Sequence, residues 1–89
     1  MSHLKIKIFD TEEEALELAD QIATAINDGS PYINKAMHNH VTGKYATKLR
    51  LVYEAQIVSV IGQTEFDNAI EIDHADPEWN VQKRIFSPI

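Results

Sequence analysis

The chain has 89 residues, no cysteine and a formal net charge of −6. Its length and apolar content predict a single domain over 1–89 whose core is too small to enclose a deep substrate chamber. The lack of cysteine excludes disulfides, thiol nucleophiles and thiolate zinc sites, and the acidic balance argues against general binding of nucleic acid or anionic membranes. Residues 1–9 lack the apolar core of a secretion signal and no run is long enough to span a membrane, so we expect a cytoplasmic protein without a membrane partner.

Local patterns predict the first two elements. Residues 3–9 alternate between apolar side chains and mostly lysines, which predicts a strand with one buried face. Thr11 and Glu14 have the spacing of a capping box, and apolar residues then recur at helical spacing. Gly29 follows as a residue that can adopt a positive φ and end the helix. We therefore expect one long amphipathic helix over 11–28, lying across a sheet.

A second, shorter helix is predicted over 31–41. Ser30 can cap it and Pro31 suits its first position, and apolar residues then repeat about once per turn as far as Val41. Thr42 and Gly43 end the pattern.

The stretch 44–61 has no internal breaker and fits two periodicities. Its apolar residues make a face with the strand period of two and also a stripe with the helical period. Five β-branched residues lie between positions 52 and 61, which favours a strand and leaves a helix as the alternative. A straight strand of this length would span about 60 Å, so we expect a bend near 54–56.

The rest of the chain completes the predicted sheet. Residues 65–73 alternate in polarity, which predicts a strand with an acidic outer face. Residues 76–79 indicate a turn or a helix cap, and residues 81–86 indicate a short final strand. The predicted fold is α+β: a two-layer sandwich with a mainly antiparallel sheet of about four or five strands, the long helix 11–28 and the shorter helix 31–41. Exposed sheet edges favour pairing between copies, so we expect a homo-oligomer, in the simplest case a homodimer.

Four acidic side chains of the predicted strand 65–73 form the first candidate binding surface. On a strand they would share one face, about 7 Å apart, and could imitate a phosphate backbone in the basic groove of a nucleic-acid-binding enzyme. Alternatively, Lys48, Arg50 or Lys83 lies opposite and neutralises them. Trp79 is the candidate anchor of the interface. The predicted binding residues are Glu65, Asp67, Glu71, Asp73 and Trp79.

The histidines and the remaining aromatic residues are weaker candidates. His38 and His40 are two residues apart and would reach one metal ion only on a strand or loop, with His74, Asp73 and Asp76 as further possible ligands. These spacings match no recognised metal motif, so we predict no metal, no cofactor and no catalytic residue. Aromatic residues beside bases can stack nucleobases but more often complete a core or an interface. Those residues are Tyr32, Tyr45 and Trp79, beside Lys44, Lys48 and Arg50.

Charge is segregated along the chain. Residues 10–28 hold seven acids and no base, 35–50 hold four bases and no acid, and 54–78 again hold seven acids and no base. Such blocks either pair with one another in the fold or present surfaces of separate sign to a partner. The function predicted from this pattern is that of a small acidic, non-catalytic binding or regulatory protein, for example an inhibitor of a partner enzyme. The alternative is a small oligomeric enzyme with a histidine and carboxylate site between subunits.

Overall fold

The computed structural model describes residues 3–73 and 77–80 of the chain. The predicted α+β class is confirmed: an antiparallel sheet of four strands, extended at one edge by a two-residue fifth strand, is accompanied by three α-helices in the described residues. The order across the sheet is β4-β1-β3-β2-β5. The strands are β1 (His3–Phe9), β2 (Met37–Asn39), β3 (Tyr45–Leu49), β4 (Ile70–Asp73) and β5 (Trp79–Asn80). The helices are α1 (Glu12–Ala25), α2 (Glu54–Ile61) and α3 (Gln63–Asp67).

Strand β1 lies between β3 and β4 and confirms the first predicted strand. Ile6 is opposite Lys48 of β3 and Ile70 of β4, and both pairings are antiparallel. Leu4 and Ile6 are buried on one face of the sheet. The alternation read from the sequence therefore reports a real difference between the two faces.

Helix α1 begins as the capping residues indicate. The Thr11 side chain accepts the Glu14 amide at 3.2 Å, and its hydroxyl donates to the Glu14 carboxylate at 3.0 Å. The helix ends at Ala25, before the predicted Asp28, because Ile26 is already extended at φ −104° and ψ 136°. Gly29 has a different role from the predicted one: a methyl group there would lie 2.8 Å from the Cα of Ala23. Close packing therefore requires this glycine.

The predicted helix 31–41 is wrong. Its first part forms turns, Asn34 has a left-handed φ of 54° that no α-helix accommodates, and Met37–Asn39 form strand β2. Met37 pairs with Ala46 of β3. Pairing with β3 and burial of Met37 override the local signal of Ser30 and Pro31, since helix propensity is a weak preference compared with tertiary packing.

The predicted long strand over 44–61 is also wrong in its second part. Strand β3 stops at Leu49, and a 3₁₀ turn covers Leu51–Tyr53. Helix α2 (Glu54–Ile61) follows, and Gly62, which has φ 92°, caps its end. The pairing register explains the end of the strand: Lys5 is opposite Leu49, so the next residues would soon pass the start of β1. The chain then turns into a helix and buries Ile57 in the core.

The predicted strand 65–73 divides into two elements. Glu65 and Asp67 lie on α3, where Phe66 is 2% exposed, and only Ile70–Asp73 form a strand, β4. Pro77 and Glu78 form a turn before β5. Asp76 and the predicted final strand 81–86 lie outside the described residues.

Two hydrophobic clusters stabilise the fold, one on each face of the sheet. The first joins the inner side of α1 with Tyr32, Leu49, Ile57 and Phe66. The second lies on the opposite face and contains Leu4, Ile6, Met37, Ala46 and Trp79. Because α1 packs through its apolar side against the first cluster, its acidic side faces outward.

Candidate functional site

An open groove of 820 Å³ runs along the outer side of α1 and is the largest of the described pockets. Four carboxylates, two amides, a hydroxyl and one leucine line it. These residues are Glu13, Glu14, Leu16, Glu17, Asp20, Gln21, Thr24 and Asn34. The groove is therefore acidic along its whole length, and we refer to it as the α1 groove.

The carboxylates of the α1 groove are not neutralised by the described part of the chain. Glu13 and Glu17 are one turn apart on the helix, and Asp20 follows at the next turn. The ion pairs that the structure describes join other residues, so none reaches these three. Like charges four residues apart destabilise a helix by about 0.2–0.5 kcal/mol per pair, and Glu13 and Glu17 form such a pair.

One hydrogen bond joins the second wall of the α1 groove to the helix: the Asp20 carboxylate accepts the Asn34 backbone amide at 3.3 Å. Within α1, the Thr24 hydroxyl donates to the Asp20 carbonyl oxygen at 3.0 Å. Asn34 holds its left-handed conformation at its contact with Asp20. The loop that follows α1 is thereby held beside the helix, and the groove is part of the fold.

The four carboxylates predicted from the sequence as one row do not share a strand face. On α3, Glu65 accepts a hydrogen bond from the Lys7 ammonium at 2.8 Å, and on β4, Glu71 lies 3.8 Å from the Lys5 ammonium. Asp67 accepts the Gln63 side-chain amide at 2.8 Å. The neutralising lysines come from β1, whereas the sequence indicated Lys48, Arg50 or Lys83; the last of these lies outside the described residues. Asp73 is opposite His3 at the edge of the sheet.

Trp79 is only 8% exposed and packs in the second hydrophobic cluster with Leu4 and Ile6. It pairs with Asn39 of β2. Its ring therefore contributes to the interior of this chain, and the surface that it leaves for a partner is small.

The triplet His38-Asn39-His40 builds the hairpin between β2 and β3. His38 stacks on Tyr45 with ring centres 4.7 Å apart. The buried Asn39 accepts the amides of Val41 and Thr42 through its Oδ1, at 2.8 and 2.9 Å. The triplet thus has a structural function in forming the turn.

No metal site is present in residues 3–73 and 77–80, where no three histidine or acidic side chains converge on one point. The His40 Nε2 lies 2.9 Å from the Pro77 carbonyl oxygen, and the Asn39 side-chain amide donates to Glu78 at 3.3 Å. His74 and Asp76 lie outside the described residues. Within the described part of the chain, the two histidines therefore have partners that explain their positions.

The aromatic and basic residues meet around Tyr32, which is fully buried and cannot stack a nucleobase. Its hydroxyl accepts the Arg50 backbone amide at 3.0 Å, and the Lys48 ammonium lies 5.7 Å from its ring centre. Burial raises the pKa of Tyr32 to about 12. Burial, followed by the charges of Arg50 and Lys35, lowers the pKa of Lys48. The grouping of Tyr32 with Lys48 and Arg50 was predicted from the sequence, but with the ring as a surface for stacking and not as a buried residue.

The α1 groove was not among the predicted sites, although the acid block 10–28 contains its carboxylates. No helix in the described part of the chain is long and apolar enough to cross a membrane. Comparison of the chain with protein-family models, with curated proteins and with solved structures gives no match.

Proposed function

We propose that this chain is a small, non-catalytic binding protein that docks a basic segment of a partner protein in the α1 groove. The observation that carries the proposal is that Glu13, Glu17 and Asp20 line one groove without an ion pair to any described residue. An inhibitor that covers the basic surface of a partner enzyme, such as a nucleic-acid-binding enzyme, is one form of this function.

The physical basis of the proposal is electrostatic complementarity. Unpaired carboxylates on a fixed surface attract a basic partner and orient it before contact, which raises the association rate and the specificity. Leu16 is half-buried among the carboxylates and offers an apolar contact beside the charges. The proposal adopts the predicted two-layer arrangement, in which α1 lies across the sheet as a long amphipathic helix with its acidic side outward.

The acidic side chains of α3 and β4 are the second candidate surface for the same function. Glu65 and Glu71 already engage Lys7 and Lys5, so a partner would have to compete with these contacts. For this reason the α1 groove supports the function better. A homodimer stays part of the proposal as the predicted oligomeric state.

The test compares two variants with equal loss of charge. The groove variant is Glu13→Gln, Glu17→Gln and Asp20→Asn; the control variant is Glu65→Gln, Asp67→Asn and Glu71→Gln. Wild type and both variants, untagged, are used to capture partners from an extract of the source cell, and native mass spectrometry measures the mass of each complex and of the uncomplexed protein. We expect the same partner on wild type and control and its loss from the groove variant.

The captured partner is then titrated in purified form by calorimetry at about 50 and 200 mM salt. Exposed charge pairs contribute about 0.5 kcal/mol each, so the three groove substitutions together should weaken binding about tenfold at low salt. Equal affinity of the groove variant and wild type would refute the groove as the site. Loss of binding in the control variant alone would assign the function to the α3 and β4 surface.

A further inference from the structure

Three bases are held together around one buried tyrosine at the end of β3. The Tyr32 hydroxyl accepts the Arg50 amide at 3.0 Å, its carbonyl oxygen accepts the Lys35 amide at 3.2 Å, and its ring lies 5.7 Å below the Lys48 ammonium. Tyr32 is 0% exposed, as are the two neighbours of Lys48 on the strand, Thr47 and Leu49. The backbone of Lys35 and of Arg50 and the ammonium group of Lys48 are therefore all located beside the one buried ring of Tyr32.

The charges of these bases repel one another. Met37 is opposite Ala46, so Lys35, two residues before Met37, lies near the end of β3 that carries Lys48. Like charges held close together repel one another. None of the three bases forms an ion pair with a described residue. The lowered pKa of Lys48, caused first by burial and then by Arg50 and Lys35, agrees with this proximity.

We propose that Lys35, Lys48 and Arg50 form a binding site for an oxyanion, with a phosphate group as the ligand. A phosphate group carries up to two negative charges and several acceptor oxygens, which suits three bases better than a single carboxylate does. The arginine guanidinium can bind two of these oxygens in a fork, while the lysine ammonium groups act as point charges. The site binds one group and not a nucleic-acid chain, because the net charge of −6 repels a polyanion.

The residues after Arg50 indicate what the phosphate group is attached to. Leu51 is 58% exposed and Val52 is 73% exposed, so two apolar side chains lie in the chain directly beyond the site. A phosphate ester with an organic body could contact them, whereas inorganic phosphate could not. The proposal is independent of the α1 groove, which has the opposite charge.

The test is the change in melting temperature caused by inorganic phosphate and, separately, by phenyl phosphate, whose ring is an apolar organic body, each against sodium chloride of equal ionic strength. The variants are Lys48→Met, Arg50→Gln and, as a matched control, Lys44→Met. Lys44 belongs to the same strand hairpin but pairs with Asp10. We expect phosphate to stabilise wild type and the control, and Arg50→Gln to weaken phosphate binding about tenfold.

Lys48→Met gives the sharpest readout because two effects have opposite sign. It removes the repulsion, so the variant should melt higher than wild type in chloride, and it removes a ligand contact, so phosphate should no longer raise its melting temperature. A larger effect of phenyl phosphate than of inorganic phosphate assigns the ester, and equal effects assign the bare group. The proposal is overturned if neither anion exceeds chloride, or if Lys48→Met and Arg50→Gln respond to both as the control does.

Discussion

Tyr32 makes the stability of this protein depend on alkaline pH in a way that one substitution can isolate. Burial raises its pKa from 10.0 to about 12. A group with a raised pKa in the folded state contributes stability that is present below the unfolded pKa and is lost as the pH rises through the folded pKa. Tyr32 should therefore stabilise the fold fully below pH 10 and lose about 1.4 kcal/mol by pH 11, which is the free energy of one pKa unit.

Tyr32→Phe removes this dependence and also removes the acceptor of the Arg50 amide. Near pH 8 the variant should be less stable than wild type by about 1–2 kcal/mol, since a partly buried amide loses its partner. By pH 11 the free energies of unfolding of wild type and Tyr32→Phe should be nearly equal. The lowered pKa of Lys48 has the opposite effect, because the protein gains stability as the pH rises toward 10.5. Wild type and Tyr32→Phe both contain Lys48, so its contribution cancels in the difference between their free energies of unfolding.

The assay is urea unfolding followed by tryptophan fluorescence at several pH values from 8 to 11, for wild type, Tyr32→Phe and the control Tyr45→Phe. The Tyr45 ring is half-buried and stacks on His38. The free-energy difference between wild type and Tyr32→Phe should shrink by about 1.4 kcal/mol between pH 8 and 11. A difference for Tyr32→Phe that does not change with pH would refute the reasoning, because it would mean that the hydroxyl ionises equally well in the folded and unfolded chain.

Two further predictions concern the turns of the fold. Gly29→Ala should lower the free energy of unfolding by about 1–3 kcal/mol in the same urea assay, because its methyl group would overlap the backbone of Ala23. Gly62→Ala has open space around the new methyl group and should lose about 1–2 kcal/mol from its positive φ alone. An unchanged free energy of unfolding for Gly29→Ala would contradict the packing role. Asn39→Ala should lower the free energy of unfolding by about 1–3 kcal/mol, because the backbone amides of Val41 and Thr42 lose their acceptor. Hydrogen exchange at those two amides should accelerate. Unchanged exchange there would show that water replaces the side chain without loss.

The sequence predicts those elements whose signals are local. The alternation of β1 and the Thr11 cap of α1 depend on neighbouring residues only, and both appear at the expected places. The stretch 44–61 fits two periodicities, and its structure depends on where β1 begins, which is information from a distant part of the sequence. The prediction of a helix over 31–41 is wrong for a similar reason. The hydrogen bond from the Arg50 amide to the Tyr32 hydroxyl joins residues that are far apart in sequence, and no local pattern indicates it.

The candidate site was harder to predict because the relevant property is which charges remain unpaired. The acid block 10–28 is plain in the sequence, but so is the block 54–78, and the two look alike until their partners are known. Glu65 is neutralised by Lys7, which is 58 residues away in the chain. No local sequence pattern indicates that Lys7 pairs with α3, or that the carboxylates of the α1 groove have no lysine partner among the described residues.

The distribution of ion pairs argues that the charge segregation serves binding. If the acidic and basic blocks existed to hold the fold together, the block 35–50 would neutralise the block 10–28, yet Lys44 with Asp10 is the one ion pair between them among the described residues. The lysines of β1 instead neutralise α3 and β4. Two surfaces of opposite sign are left over: the α1 groove and the bases around Tyr32. Each costs stability through repulsion between like charges, and a ligand of opposite charge removes that cost. Under the two proposals, binding of a ligand of opposite charge is the condition in which both arrangements are favourable.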